Sequence, residues 1–140
     1  MLVVDCGTAL TFTAGDDDQF LGGAITPGLK SQLKALHEST DGLPLLSPEA
    51  ITQPNRWAIT TAEAMLSGVV YTQLASIRDF LADWWARFPV GRVVLTGGDS
   101  KAVVAGLIVT DQALAERLHL DPNLMFWGLR ACRQRPSTAL

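Results

Sequence analysis

No basic stripe runs through this sequence. Its 11 lysines and arginines are scattered over Lys30, Lys34, Arg56, Arg78, Arg87, Arg92, Lys101, Arg117 and the C-terminal stretch, against 14 acids, for a net charge of -3. Nucleic-acid binding calls for cations gathered on one face, so nucleic acid is not an expected partner. Cysteine is scarce as well. Cys6 and Cys132 stand far apart with no CxxC or Cys/His spacing, which supports neither a zinc site nor a disulfide framework and reads as reduced thiols in a cytoplasmic protein. Long apolar runs are missing too. None approaches the roughly 20 residues that cross a bilayer, and Asp5 interrupts the apolar N-terminus, so no membrane partner is expected.

What is present suits one compact domain: 140 residues, of which 48% are hydrophobic. Leu2–Val4, Ala9–Thr13 and Phe20–Thr26 are rich in apolar and β-branched residues and read as strands. The Gly15-Asp16-Asp17-Asp18 cluster between the last two is a hairpin turn, with the aspartates as solvated turn formers. Pro27-Gly28 punctuates the chain, and Leu29, Leu33 and Leu36 recur at helical spacing beside Lys30 and Lys34. Prolines 44, 48 and 54 make the stretch from Ser39 to Ala58 a surface connection.

Thr60 or Thr61 can cap the next helix, with Glu63 or Ala64 three residues on. Met65, Val69, Leu74, Ile77, Leu81, Trp84 and Trp85 then mark the longest helix of the chain, which Phe88-Pro89 ends. Arg92–Thr96 reads as a buried strand, and Gly97-Gly98-Asp99 as a strand-to-helix turn. Residues 100–120 look helical with an interruption near Gly106, and Pro122 fits the first turn of a last helix through Leu124, Phe126, Trp127 and Leu129. Arg133–Leu140 reads as a polar, disordered tail. The tryptophans at 57, 84, 85 and 127 read as core or interface residues. A hairpin, then helices, then a strand with further helices is the order of an α/β domain with a mixed sheet.

Two glycine turns follow apolar strands, and each can carry chemistry. In VVDCGTALT, Gly7 lets the backbone approach a ligand, successive amides can face an anion, the Thr8 hydroxyl adds a donor, and Asp5 can hold a cation or a ligand hydroxyl. In VVLTGGDS, Gly97 and Gly98 leave a strand without side-chain bulk, and Asp99 can cap the following helix or bind a ligand hydroxyl. Both lie at the carboxyl ends of strands, where α/β proteins bind nucleotides.

Five segments, VVDCGTALTF, FLGGAITPGL, TTAEAMLSGVVY, VVLTGGDS and DPNLMFWGLR, together resemble the C-terminal half of type III pantothenate kinases in order and separation. The resemblance covers Leu2 to Arg130 and implies a ribonuclease H-like, actin-like ATPase half-domain, in which a mixed sheet is flanked by helices. It implies ATP-dependent phosphorylation of the pantothenate 4′-hydroxyl in coenzyme A synthesis, with magnesium, a monovalent cation (potassium or ammonium) and a homodimer packed through the helix from Thr61 to Arg87. Carried over by motif, Asp5 holds the monovalent cation and Thr8 contacts ATP beside Gly7. Gly97 and Gly98 lie against the adenosine portion with Asp99 adjoining, and Thr61 contacts pantothenate. Thr60 stands where that family often has asparagine. A peptidoglycan- or sugar-directed kinase of the same superfamily would share the DxGT turn but not TTAEAMLSG.

Two motifs of that family do not occur in these 140 residues: a DxGN[TS] loop that cradles the triphosphate and a GxDR segment that carries the general base. No catalytic residue is therefore expected on this chain. Met1 stands one residue ahead of the strand that opens the family's second half, which reads as a truncation, a misplaced start codon or a degenerate gene. The alternative expectation is a catalytically inactive nucleotide-binding or dimerisation remnant.

Overall fold

The computed structural model describes residues 1–17, 19–46 and 54–134. Asp18 of the hairpin turn, Pro48 of the surface connection and residues 135–140 of the expected tail lie outside the described residues. Period-two alternation builds the first strands. β1 (Leu2–Cys6) buries Leu2, Val4 and Cys6, and β2 (Ala9–Asp16) buries Leu10 and Phe12. Their antiparallel register sets Val4 opposite Phe12 and Cys6 opposite Leu10, so both apolar sets share one face. Asp17 makes the left-handed turn at φ 47°, and β3 (Gln19–Pro27) returns antiparallel to β2.

The chain leaves the sheet through α1 (Leu29–Glu38) and re-enters it after α2 (Thr61–Arg87). Met65, Val69, Leu74, Ile77, Leu81 and Trp84 form the buried stripe of α2, a helix about 40 Å long at 1.5 Å per residue. Phe80 stacks on Phe12 with ring centroids 4.0 Å apart, which lays α2 across the apolar face of the sheet. β4 (Val93–Thr96) is buried at all four positions, as expected for an inner strand of a parallel pair. It lies parallel to β1 with Asp5 opposite Thr96. α3 (Ser100–Thr110), α4 (Gln112–Ala115), β5 (Leu118–Leu120) and α5 (Leu124–Gln134) complete the chain. The five-stranded sheet has the order β3-β2-β1-β4-β5. Among the described residues no helix is long and apolar enough to cross a membrane.

Several local expectations need correction. Gly106 does not interrupt a helix: it sits inside α3, where a Cβ would press on Leu74 at 3.0 Å, so its missing side chain lets α3 close on α2. The break falls at Asp111, whose Oδ1 accepts from the Leu114 N–H at 3.1 Å and caps α4. Residues 118–120 form β5, paired parallel to β4, where a helix was expected. Pro122 lies in a turn ahead of α5, with the Asn123 N–H donating to Asp121 Oδ1 at 2.8 Å. Arg133 and Gln134, assigned to the tail, are helical. The tryptophan reading of core or interface needs no such change: Trp84 is buried, Trp85 packs against the core, and Trp57 and Trp127 lie on the surface.

Leu95 is fully buried in β4, whereas Ile25 is 80% exposed on edge strand β3. Leu95→Ala should lower the urea-unfolding free energy by about 2–5 kcal/mol, and Ile25→Ala should change it by no more than about 0.5 kcal/mol.

Candidate functional site

β1 and β4 are parallel neighbours, so their carboxyl ends open side by side. Three chain corners meet there. The β1–β2 turn is tight, with the Gly7 N–H donating to the Ala9 carbonyl at 3.0 Å. The β3–α1 corner locks onto it: the Gly28 N–H and the Ser31 hydroxyl both donate to the Thr8 carbonyl, at 2.9 and 2.7 Å. The Gly28 Cα faces the Gly7 carbonyl so closely that a Cβ would overlap it. The β4–α3 turn closes from the other side, where the Asp99 N–H donates to the Cys6 carbonyl at 2.8 Å and the Ser100 hydroxyl to the Gly97 carbonyl at 2.6 Å. Gly97 has φ +90°, and a Cβ there would overlap the Asp5 carboxylate and the Cys6 carbonyl. Gly97 therefore meets both demands that only glycine satisfies, a positive φ and close approach.

Asp5, Gly7, Thr8, Gly97, Gly98 and Asp99, drawn from two distant segments, are thus gathered at one rim of the sheet. Thr8 is exposed, and Gly98 has open space where a Cβ would be. Cys6 lies beneath them. Burial, then the carboxylates of Asp5 and Asp99, push its thiol up to about 12 from 9.0. Among the described residues no group of three His, Cys, Asp or Glu side chains forms a metal cage.

Thr61 lies elsewhere. Thr60, not Thr61, caps α2: its hydroxyl accepts from the Glu63 N–H at 3.3 Å and donates to the Glu63 carboxylate at 3.0 Å. Thr61 is released from capping and lines a groove of about 680 Å³ between α1 and α2, with Leu36, Thr40, Met65 and Gly68. Pro27 also lines this groove, and Gly28 beside it belongs to the glycine corners, so the two places adjoin through the β3–α1 corner. Gln32 braces that corner by donating from Nε2 to the Pro27 carbonyl at 2.8 Å and to Gln73 Oε1 at 3.4 Å. The sequence reading took Pro27-Gly28 as punctuation and as part of the FLGGAITPGL segment, and gave no site role to Gly28, Lys30 or Ser31. The signal available was a glycine after a proline at the end of a strand.

A mixed sheet with its helices and glycine corners in this order has the form of a half-domain of the actin-like fold. The sequence model described as type III pantothenate kinase matches residues 1–83. A type III pantothenate kinase from a Nostoc species is 46% identical over 132 residues, covering 93% of this chain and 48% of that protein. One from Synechococcus sp. strain JA-3-3Ab is 45% identical over 136 residues, covering 95% and 54%. The chain belongs to the type III pantothenate kinase family, and it spans about half the length of the curated relatives it matches. A solved structure from Campylobacter jejuni, named for the Baf family, superposes with a TM-score of 0.62 at 23% identity over 93% of this chain and 55% of that one. At that identity the likeness speaks for the fold alone.

Two tests follow from the packing. Gly28→Ala and Gly97→Ala should each cost at least about 2 kcal/mol in urea unfolding, because a carbonyl occupies the space of the new methyl; Gly98→Ala should be tolerated. The buried Cys6 thiol should resist iodoacetamide while exposed Cys132 reacts. With its folded pKa raised, Cys6 contributes its full stability below 9.0, and that contribution falls as pH rises from there toward about 12. Over that range the loss of stability should be smaller in Cys6→Ala.

Proposed function

We propose that this chain is the C-terminal part of an ATP-dependent pantothenate kinase and forms the nucleotide wall and part of the acceptor pocket of that enzyme. The observation that carries the reading is the meeting of three glycine corners at the carboxyl ends of parallel β1 and β4. In this reading the phosphates of ATP lie over Gly7 and the Thr8 hydroxyl, and the adenosine over Gly97 and Gly98 beside Asp99. Thr61 meets pantothenate at the groove between α1 and α2. Its hydroxyl, not used in capping, is available for that contact.

Asp5 supplies one carboxylate at the crevice, a donor set that fits a monovalent cation completing its shell with ligand oxygens and water. It makes no divalent cage, so magnesium belongs with the triphosphate. The cation supplies charge neutralisation. The chain's own residues bind and orient, which is the larger part of phosphoryl-transfer catalysis. Homodimerisation through the α2 side belongs to the same reading, as does a cytoplasmic setting. The dimer is supported by Trp57 and Ile59, 88% and 98% exposed, just ahead of Thr61.

A second reading, a non-catalytic nucleotide-binding or dimerisation module, is favoured by one observation: among the described residues no carboxylate or imidazole that could take a proton lines the groove holding Thr61. Calorimetric titration separates the two: the first reading expects uptake of both ATP and pantothenate, a nucleotide-binding module ATP alone, and a dimerisation module neither. ATP should bind, and Thr8→Val should weaken it by about tenfold or more through loss of a hydrogen bond to a charged group. Pantothenate-dependent ATP turnover by the pure 140-residue chain is expected to be absent. A folded dimer that takes up neither ligand would support the structural module instead.

A further inference from the structure

Asp99 occupies the N-cap position of α3, where an aspartate ordinarily accepts from the first free N–H groups of the helix. It makes no such bond. Its Oδ1 instead lies 3.8 Å from Nζ of Lys30, which comes from the first turn of α1 on the opposite side of the crevice. The other two ion pairs among the described residues, Lys34–Glu38 and Arg87–Asp83, are exposed i,i+4 pairs within single helices. Lys30–Asp99 alone among them joins segments distant in sequence. Its carboxylate is largely sheltered, with the Asp99 side chain 13% exposed and that of Lys30 60%.

The electrostatics of the rim give this pair a task. Asp5 and Asp99 both stand close enough to the Cys6 thiol to act on it, so two carboxylates border the place where the nucleotide reading puts a polyanion. A fixed negative charge several ångströms from a phosphate, in a partly solvated crevice, lowers affinity by about five- to tenfold. Opposite charge at the carboxylate removes that penalty.

We propose that Lys30 is a positioning residue for the nucleotide: its ammonium cancels the Asp99 carboxylate at the rim, so a triphosphate over Gly7 and Thr8 is not repelled by it, while Asp5 is the carboxylate matched to the cation. The pair also ties the β3–α1 corner to the β4–α3 turn. This inference rests on the nucleotide reading and adds to it a residue outside both glycine motifs.

The test is a titration of the full 140-residue chain with ATP and, separately, with uncharged adenosine, at low and at high salt. Lys30→Met should weaken ATP by about five- to tenfold at low salt, with the difference shrinking as salt screens it. Adenosine affinity should be unchanged, and Lys30→Arg should restore ATP affinity. In an Asp99→Asn background, Lys30→Met should be silent. Equal loss of ATP and adenosine would make the residue a scaffold and overturn the proposal. Persistence of the loss in the Asp99→Asn background would also overturn it, since Lys30 would then act on the phosphates directly. Wild-type binding of ATP with no change in Lys30→Met overturns this inference alone, whereas no ATP binding by the wild type overturns the nucleotide reading and this inference with it. Circular dichroism of each variant separates these outcomes from misfolding, which the exposure of Lys30 makes unexpected.

Discussion

Backbone packed on backbone at the carboxyl end of β1 is the constraint on which the rest of this structure depends. The Gly7 carbonyl lies under the bare Cα of Gly28, and the Cys6 carbonyl and Asp5 carboxylate lie under that of Gly97. Contacts this close would leave carbonyls buried and unpaired unless donors came with them. Here they do: the Gly28 N–H reaches the Thr8 carbonyl and the Asp99 N–H reaches the Cys6 carbonyl. Each glycine both permits the approach and begins a segment whose donors reach a carbonyl of the β1–β2 turn, Thr8 in one case and Cys6 in the other. The N-termini of α1 and α3 are thereby drawn to one rim of the sheet.

That rim is held on a stiff base. The stripe on α2 from Met65 to Trp84 covers the Leu2-Val4-Leu10-Phe12 face, and the stacked pairs Phe12–Phe80 and Trp84–Phe88 close its far end. Because α1 packs against both α2 and the glycine corner, the groove holding Thr61 and the crevice holding Thr8 share one wall, Pro27 and Gly28. The single corner that divides them is fixed by two donors on one carbonyl.

Much of this was legible in the residues. Runs rich in apolar and β-branched residues exposed the first three strands, and the apolar stripe of α2 ran long enough to be read with its end at Phe88-Pro89. The failures have physical causes. β5 is three residues, Leu118–Leu120, whose strand character comes from pairing with β4, a tertiary contact that no local pattern reports. Gly106 breaks no helix because its role is to admit Leu74, which depends on a neighbour 32 positions away by simple subtraction of the two residue numbers. Thr60 and Thr61 were equivalent caps on paper; the choice falls to Thr60 because Glu63 closes the box with it. In the candidate site both glycine turns were visible, since a glycine after a strand leaves a local mark. Lys30 was not, because its meaning comes only from Asp99 opposite it, 69 positions on by the same subtraction.

The arrangement separates holding from reacting. Phosphoryl transfer needs phosphates fixed in line with an acceptor, charge neutralised and a proton accepted. In the proposed reading the groups on this chain suit the first two tasks: the Thr8 hydroxyl at the glycine corner, a carboxylate at Asp5 for a cation, and Lys30 balancing Asp99. Proton acceptance is another matter, because a general base must lie within hydrogen-bond reach of the attacking hydroxyl. The Asp99 carboxylate is engaged by Lys30, and Asp5 sits under Gly97 at the nucleotide side rather than in the groove with Thr61. Neither carboxylate borders the proposed acceptor pocket. In the proposed reading this chain supplies the nucleotide wall and part of the acceptor pocket, which makes ligand affinity, rather than turnover, the property by which its residues are to be judged.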